Sequence, residues 1–148
     1  MSGVEFSEDT ADSALICAHL EACDASFIPH LSDRVDLADY AAKLAAKARR
    51  FEAWDQGELV GLVAAYCNGV DRQRAFVTSV SVLPQAQGRG IASQLVMRCI
   101  SATRNAGFAK LELEVDSANE RAVALYAKHG FYKFSEDGST SAMTIELN

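Results

Sequence analysis

The chain has 148 residues, of which 49% are apolar and 23% are charged, and its formal net charge is −6. This length and balance are typical of one globular domain, so we expect a single domain over residues 1–148. The negative charge argues against binding to nucleic acid or an acidic membrane, and no apolar run reaches the roughly 18 residues of a membrane span. The acidic start lacks a secretory pattern, and the four cysteines lack metal-ligand or C-x-x-C spacing. We therefore expect a cytoplasmic protein with reduced thiols and no metal.

The first half of the chain predicts two helices and the start of an antiparallel meander. A short strand, two helices and two hairpin strands are expected over residues 4–6, 14–25, 37–48, 51–54 and 59–66. Residues 7–10 offer caps for the first helix, and Asp36 caps the second after a polar loop at 26–36. A tight turn at 55–57 joins the hairpin strands, and a second turn at 68–71 leads onward.

The second half predicts a strand–helix–strand crossover and then a helix and a hairpin. These elements are expected over residues 76–83, 91–105, 110–115, 119–129, 132–134 and 142–147. The crossover requires the strands at 76–83 and 110–115 to be parallel, with a right-handed connection. The fold class is therefore α/β: a mixed sheet of six or seven strands flanked by about four helices.

A glycine-rich loop opens the long helix and is the strongest motif in the chain. Gly88 and Gly90 let backbone N–H groups approach a ligand at the positive end of the helix dipole, which indicates an anion site. The Gly-Lys-Ser/Thr ending of a nucleotide P-loop is missing. A dinucleotide fingerprint nearly fits residues 88–93, but four residues separate it from the strand and the chain has room for only one such unit. The pattern Q/R-x-x-G-x-G/A fits residues 87–92 at every defined position.

That loop resembles the acetyl-CoA loop of the GCN5-related N-acetyltransferase (GNAT) superfamily. Residues 119–131 resemble a second signature of the family, with Asn119 and Tyr126 at the family's seven-residue interval. The two signatures come in the right order, and the resemblance is strongest over residues 75–134. It implies a fold in which two central parallel strands splay apart and hold the coenzyme between them.

The resemblance implies acetyl-CoA as the co-substrate. Main-chain groups of Val80 and Val82 are expected to pair with the pantetheine amides, and the Val82 N–H to face the oxyanion. Arg89 is expected either to add charge beside the pyrophosphate or to point into solvent. Asn119 is expected to hydrogen-bond the coenzyme or only to cap its helix. The expected coenzyme-binding residues are Val80, Ser81, Val82, Gln87, Gly88, Arg89, Gly90, Ile91, Ala92, Ser93, Asn119 and Tyr126.

Acetyl transfer to an amine requires a neutral amine, a donor for the oxyanion and a proton for the leaving thiolate. Glu114 matches the family's base, five residues before the asparagine and near the carboxyl end of a central strand. Alternatively, Glu114 is a solvated carboxylate without a catalytic role, and Glu112 is then the next candidate for the base. Tyr126 matches the family's acid, because a phenol is neutral near pH 7, and its alternative reading is a core tyrosine.

The acceptor pocket is expected between the loop at 27–35, the second helix and the turn at 66–74. Its candidate residues are Phe27, His30, Ser32, Arg34 and Tyr66. Arg34 could recognise a carboxylate or phosphate, and His30 could serve as a second base, although both could equally be exposed loop residues. We expect direct acetyl transfer to a primary amine of a small molecule, by a monomer or homodimer. The alternatives are a non-catalytic acyl-CoA sensor and a protein N-terminal or lysine acetyltransferase.

Overall fold

The computed structural model describes residues 3–27, 29–68 and 72–148. Its strands are β1 (Glu5–Glu8), β2 (Arg49–Asp55), β3 (Glu58–Tyr66), β4 (Arg74–Val82), β5 (Lys110–Asp116), β6 (Tyr132–Asp137) and β7 (Thr140–Glu146). Its helices are α1 (Ser13–Cys23), α2 (Leu37–Lys47), α3 (Ile91–Asn105) and α4 (Glu120–Lys128), and short 3₁₀ turns lie at Asp24–Ser26, Leu31–Asp33 and Pro84–Ala86.

The described strands form one seven-stranded mixed sheet in the order β1-β2-β3-β4-β5-β7-β6. Only the β4–β5 pair is parallel, and α3 makes the crossover between these two strands. The predicted α/β class, the mixed sheet and the four helices are confirmed, with the strand number at the upper end of the expected range.

The two central strands separate along their length. Their pairing runs from Arg74 opposite Lys110 only as far as Val77 opposite Leu113, although both strands continue beyond that point. On the other side of β4, the register with β3 skips Thr78, so a bulge lies at the point where the strands part. β5 continues to pair with β7, which leaves one edge of β4 open beyond Val77. The splay implied by the family resemblance is present.

Buried side chains of β3 pack in two core clusters, one on each face of the sheet, and their alternation is interrupted at Val60, where the register with β2 shifts. Leu59, Leu62 and Ala64 pack with α1 and α2, whereas Val60 and Val63 pack in the cluster that contains α3. Gly61 also faces α3, because a Cβ there would lie 2.7 Å from Cγ2 of Ile91. The missing side chain lets the first turn of α3 lie directly on β3, which positions the glycine-rich loop just before it.

Local details differ from the predictions at three places. The cap of α1 is Asp12, whose carboxylate accepts from the N–H of Leu15, and not a residue of the 7–10 segment. The helix ends at Cys23 because the chain then tightens into a 3₁₀ turn. The turn between β6 and β7 is shorter than predicted, since both strands extend into it. Residues 69–71 of the second predicted turn lie outside the described residues.

Other predicted turns and caps are confirmed. Gln56 and Gly57 both have positive φ, 51° and 80°, as a two-residue hairpin turn of type I′ requires. Asp36 caps α2 by accepting from the N–H of Asp39. Within the described part of the chain, none of the helices has the length and apolar character needed to cross a membrane.

Candidate active site

A cleft in two halves runs from the glycine-rich loop to the gap between β4 and β5. The glycine-loop cavity, of about 530 Å³, lies along Val80–Val82 and along residues 86–88 and 90–93. The strand-gap cavity, of about 440 Å³, lies between residues 77–80 of β4 and 113–116 of β5. Both halves are lined by Ser26, Phe27, Val80, Asn119, Ala122 and Leu125. The two halves are therefore adjacent and share these six lining residues.

The glycine-rich loop presents main-chain groups to the first half of the cleft. Gly88 and Gly90 have φ of 85° and 75°, and a Cβ at either position would meet nothing within 4 Å. Backbone conformation, rather than crowding, therefore requires glycine here. Gly90 is the N-cap of α3 and offers no side chain to its first N–H groups. These amides and the helix dipole form an anion site at this end of the cavity.

The open edge of β4 supplies a second row of main-chain groups. The N–H of Leu83 donates to Val60 O of β3 at 2.8 Å, so by strand alternation the N–H groups of Val80 and Val82 face the opposite, open edge. The Gln87 side chain donates weakly to Val82 O at 3.4 Å, which places that carbonyl on the open edge as well. An extended ligand with amide groups can pair with this edge as an added strand.

Eleven of the twelve residues expected to bind the coenzyme line the cleft. Arg89 is the exception, because its guanidinium is held at 3.0 Å by the carboxylate of Asp55 at the end of β2. The prediction that Arg89 adds charge to the loop or points into solvent did not anticipate this partner. Arg121 of α4, which the sequence reasoning missed, lines the glycine-loop cavity and has no ion-pair partner among the described residues.

Asn119 and Ser93 connect the cleft to the ends of two helices. The Asn119 side chain caps α4 by accepting from the N–H of Ala122 at 3.2 Å, and the residue also lines both cavities. The hydroxyl of Ser93 lies 2.8 Å from Nε2 of His129, whose pKa is lowered by burial and by Lys128. The start of α3 is thereby tied to the end of α4.

Glu114 and Tyr126 line the strand-gap cavity together. Tyr126 lies on α4, is 7% exposed and packs edge-on against Phe131 at 5.9 Å between ring centroids. Its hydroxyl has no hydrogen-bond partner among the described residues, and burial raises its pKa to about 12. Glu114 is exposed to the cavity without an ion pair, whereas Glu112 lies 3.7 Å from Arg74 and outside the cavity lining. The cavity thus combines a free carboxylate with a phenol that keeps its proton at neutral pH.

A family model described as "Acetyltransferase (GNAT) family" matches residues 15–131. The chain belongs to this family. The Arabidopsis thaliana protein N-alpha-acetyltransferase MAK3 is 36% identical over 85 residues, which are 56% of this chain and 44% of that protein. This chain spans half or less of the length of the curated relatives that it matches.

Solved structures of the family share the fold over nearly the whole chain. The ribosomal-protein-S18-alanine N-acetyltransferase of Escherichia coli has a TM-score of 0.78 at 19% identity, covering 99% of this chain and 95% of that one. PaiA N-acetyltransferase of Thermoplasma acidophilum, solved in complex with coenzyme A, has a TM-score of 0.78 at 14% identity, covering 97% and 99%. At these identities the likeness establishes the fold of this GNAT protein, and its chemistry has to be argued from its own residues.

The loop after α1 forms one wall of the strand-gap cavity, but only some of the expected acceptor residues reach it. Phe27 and Arg34 line the cavity, whereas His30, Ser32 and Tyr66 do not. Ser32 instead donates to Asp24 through its N–H at 2.7 Å and its hydroxyl at 2.6 Å, which closes the loop on itself.

Two other segments expected to line the acceptor pocket, the second helix and the described part of the turn at 66–74, do not line the strand-gap cavity. No described residue of α2 or of the 66–74 turn lines the strand-gap cavity, and the turn at Ser139 and Thr140 lines it instead. Thr140 pairs with Asp116 at the end of β5, so the β6–β7 turn closes the carboxyl end of the gap. Insertion of β7 between β5 and β6 is the reason, and the sequence pattern did not reveal that order.

A buried histidine beneath the cleft was also missed. Nδ1 of His19 donates to Leu59 O at 2.9 Å, so Nε2 accepts from the hydroxyl of Ser81, also at 2.9 Å. Burial lowers the pKa of this imidazole, so it remains neutral and ties α1 to β3 and β4. The sequence could have indicated this buried position, because His19 lies one helical turn before Cys23 on the same buried face of α1.

Proposed function

We propose that this GNAT protein is an acetyl-CoA-dependent N-acetyltransferase that transfers the acetyl group directly to a primary amine of a small molecule. The observation that carries the proposal is the joint presence of Glu114 and Tyr126 in a cavity that shares six lining residues with the glycine-loop cavity. One half of the cleft suits a diphosphate and an amide chain, and the other half suits proton transfer.

The residues present fit coenzyme A. Main-chain amides at residues 88–93 and the Arg121 side chain suit the pyrophosphate, and the open edge of β4 suits the pantetheine amides. Acetyl-CoA supplies the acetyl thioester, and this placement brings its reactive end toward the strand gap. Val82 N–H, on the open edge of β4, is available to the oxyanion.

Glu114 and Tyr126 divide the proton transfers. Glu114 accepts a proton from the substrate ammonium and passes it to solvent, because only the neutral amine is a nucleophile. The nitrogen then forms the N–C bond while the C–S bond breaks, and Tyr126 protonates the departing sulfur. The second proton lost by the nitrogen restores Tyr126 through solvent. Burial raises the pKa of Tyr126 to about 12, so the phenol is protonated at neutral pH and has a proton to donate to the sulfur.

The size of the strand-gap cavity supports a small acceptor. Its volume of about 440 Å³ has to hold the acceptor together with the reactive end of the coenzyme, which favours a small amine. A protein N-terminus is the second candidate acceptor, and the likeness to the Arabidopsis N-alpha-acetyltransferase favours it.

Turnover with acetyl-CoA tests the proposal. We expect wild-type protein to release coenzyme A and form an acetamide, measured by chromatography and mass spectrometry with small amines and a short peptide as acceptors. Glu114→Gln should lower kcat by about a hundredfold or more, because the amine loses its base. Glu112→Gln is the matched control on the same strand, and its kcat should change by about twofold or less because Glu112 does not line the cavity.

The contrary outcomes are distinct. Tight binding of acetyl-CoA without turnover of any amine would favour a sensing module over an enzyme. Transfer to the peptide alone would favour the protein acceptor. Equal losses of kcat in Glu114→Gln and Glu112→Gln would contradict the assignment of Glu114 as the base.

A further inference from the structure

The strand-gap cavity carries opposite charges on separate walls. Arg34, in the loop after α1, and Glu114 and Asp116, on β5, all line it. Neither Arg34 nor Glu114 forms an ion pair or side-chain hydrogen bond within the described residues. The Arg34 guanidinium and the Glu114 carboxylate thus line one cavity without contacting each other, so there is space between the two charges for a ligand. A ligand with a charge at each end fills this space.

A second donor lines the same cavity. Ser79 of β4 is 5% exposed, and its buried hydroxyl has no hydrogen-bond partner among the described residues. The Tyr40 hydroxyl, which lies beside the β4 bulge, donates to Thr78 O at 3.0 Å. Burial raises the pKa of Tyr40, and its hydrogen bond with the Thr78 hydroxyl opposes this shift. The Tyr40 hydroxyl is thus bonded to Thr78, whereas Arg34 and Ser79 both present donors to the strand-gap cavity.

We propose that the acceptor is a zwitterionic small molecule, a primary amine that also carries a carboxylate, and that Arg34 binds this carboxylate. The inference rests on the proposed acetyl transfer and specifies its substrate class. The planar guanidinium suits a carboxylate, the Ser79 hydroxyl adds a donor, and Glu114 faces the ammonium end. Transfer leaves the carboxylate unchanged and removes the positive end, so the product loses its attraction to Glu114.

Apolar residues in the lining of the strand-gap cavity indicate that the acceptor also has an apolar side chain. Phe27, Pro29 and Leu31 contribute an apolar part of the cavity lining on the same loop as Arg34. A small apolar amino acid combines all three features, so leucine is a suitable probe. Leucinamide lacks the carboxylate charge, and 3-methylbutylamine lacks the carboxyl group entirely.

Steady-state kinetics with these three amines test the inference. We expect Arg34→Gln to lower kcat/KM for leucine by about ten- to a hundredfold, mainly through KM, because a charge-assisted hydrogen-bond pair is lost. The same variant should change kcat/KM for leucinamide and 3-methylbutylamine by about twofold or less. Comparing each amine between the two proteins cancels its intrinsic reactivity. Arg98→Gln, which removes an equal charge from the outer side of α3, is the control.

Binding of N-acetylleucine to the coenzyme A-loaded protein, measured by calorimetry, gives a readout independent of turnover. We expect it to bind at least about tenfold more tightly than N-acetylleucinamide in the wild type and equally in Arg34→Gln. Equal binding of both ligands to the wild type overturns the inference, even if every amine is acetylated. Acetylation of the amide and the alkylamine with no preference for leucine also overturns it, while the proposed transfer stands.

Discussion

Two polar regions of this protein are built in opposite ways. At the start of α1, the Glu52 carboxylate is fully buried, and both of its oxygens are bonded: Ser7, Thr10 and Ala11 donate at 2.6 to 3.2 Å, and Arg50 lies at 3.6 Å. In the strand gap, Tyr126, Ser79, Glu114 and Arg34 have no such bonds among the described residues.

The difference distinguishes stability from function. Burial would raise the pKa of Glu52, but the hydrogen bonds from Thr10, Ala11 and Ser7 together lower it, so the charged form is stabilised by the fold itself. The groups of the strand gap have their hydrogen-bonding capacity available for a ligand. Changes at Glu52 should therefore affect the free energy of unfolding, and changes in the gap should affect turnover.

Tyr126→Phe should give the largest effect. It removes a hydroxyl that no described residue hydrogen-bonds, so we expect kcat to fall by about a hundredfold or more while the thermal midpoint stays within about 2 °C. Tyr132→Phe is the matched control, because that phenol lies outside the cleft and donates to Glu146 at 2.7 Å. Unchanged kcat in Tyr126→Phe would contradict the acid role. In the wild type, a Tyr126 pKa of about 12 predicts no loss of activity from this group up to about pH 11.

Glu52→Gln should have the converse result. A buried charged acceptor with several donors is lost, so we expect a loss of about 2 kcal/mol in the free energy of unfolding, with kcat of the folded protein unchanged. Because the folded pKa of Glu52 is depressed, its stabilisation is complete above the unfolded value of about 4.3 and is lost as pH falls through the folded pKa. Urea unfolding at pH 7 and pH 3 should show a smaller difference between wild type and variant at the lower pH. A constant difference would contradict the linkage.

The two arginines near the glycine-rich loop also differ in whether their charge is paired within the fold, and we expect smaller effects from them. Arg89 is paired with Asp55, whereas Arg121 lines the cavity and has no ion-pair partner in the part of the chain that the structure describes. We expect Arg121→Gln to raise the Kd for coenzyme A about fivefold at low salt, and Arg89→Gln to raise it less than about twofold. Calorimetric titration measures both, and the reverse order would place the coenzyme against Arg89.

The sequence predicted the backbone of the site better than its side chains. The glycine-rich loop, the parallel crossover and the Asn119 cap follow from local patterns, and all are present. The position of the Arg89 guanidinium depends on Asp55, which is distant in sequence, so no local motif could reveal it.

The acceptor wall shows the same limit. The part of the wall that the β6–β7 turn forms is there because β7 pairs with β5 and lies between β5 and β6. Tertiary packing, rather than local sequence, determines this strand order. Arg34 lines the cavity, whereas the Ser32 side chain is hydrogen-bonded to Asp24 within the same loop. Local sequence identified which side chains could serve as ligand contacts but not which were already bonded within the fold.

A crystal structure of this protein with coenzyme A tests the central claim most directly. We predict the pyrophosphate on the amides of residues 88–93, the pantetheine arm along the open edge of β4, and the sulfur next to the Tyr126 hydroxyl. Coenzyme A bound at another surface, or with its sulfur directed away from the strand gap, would contradict the account.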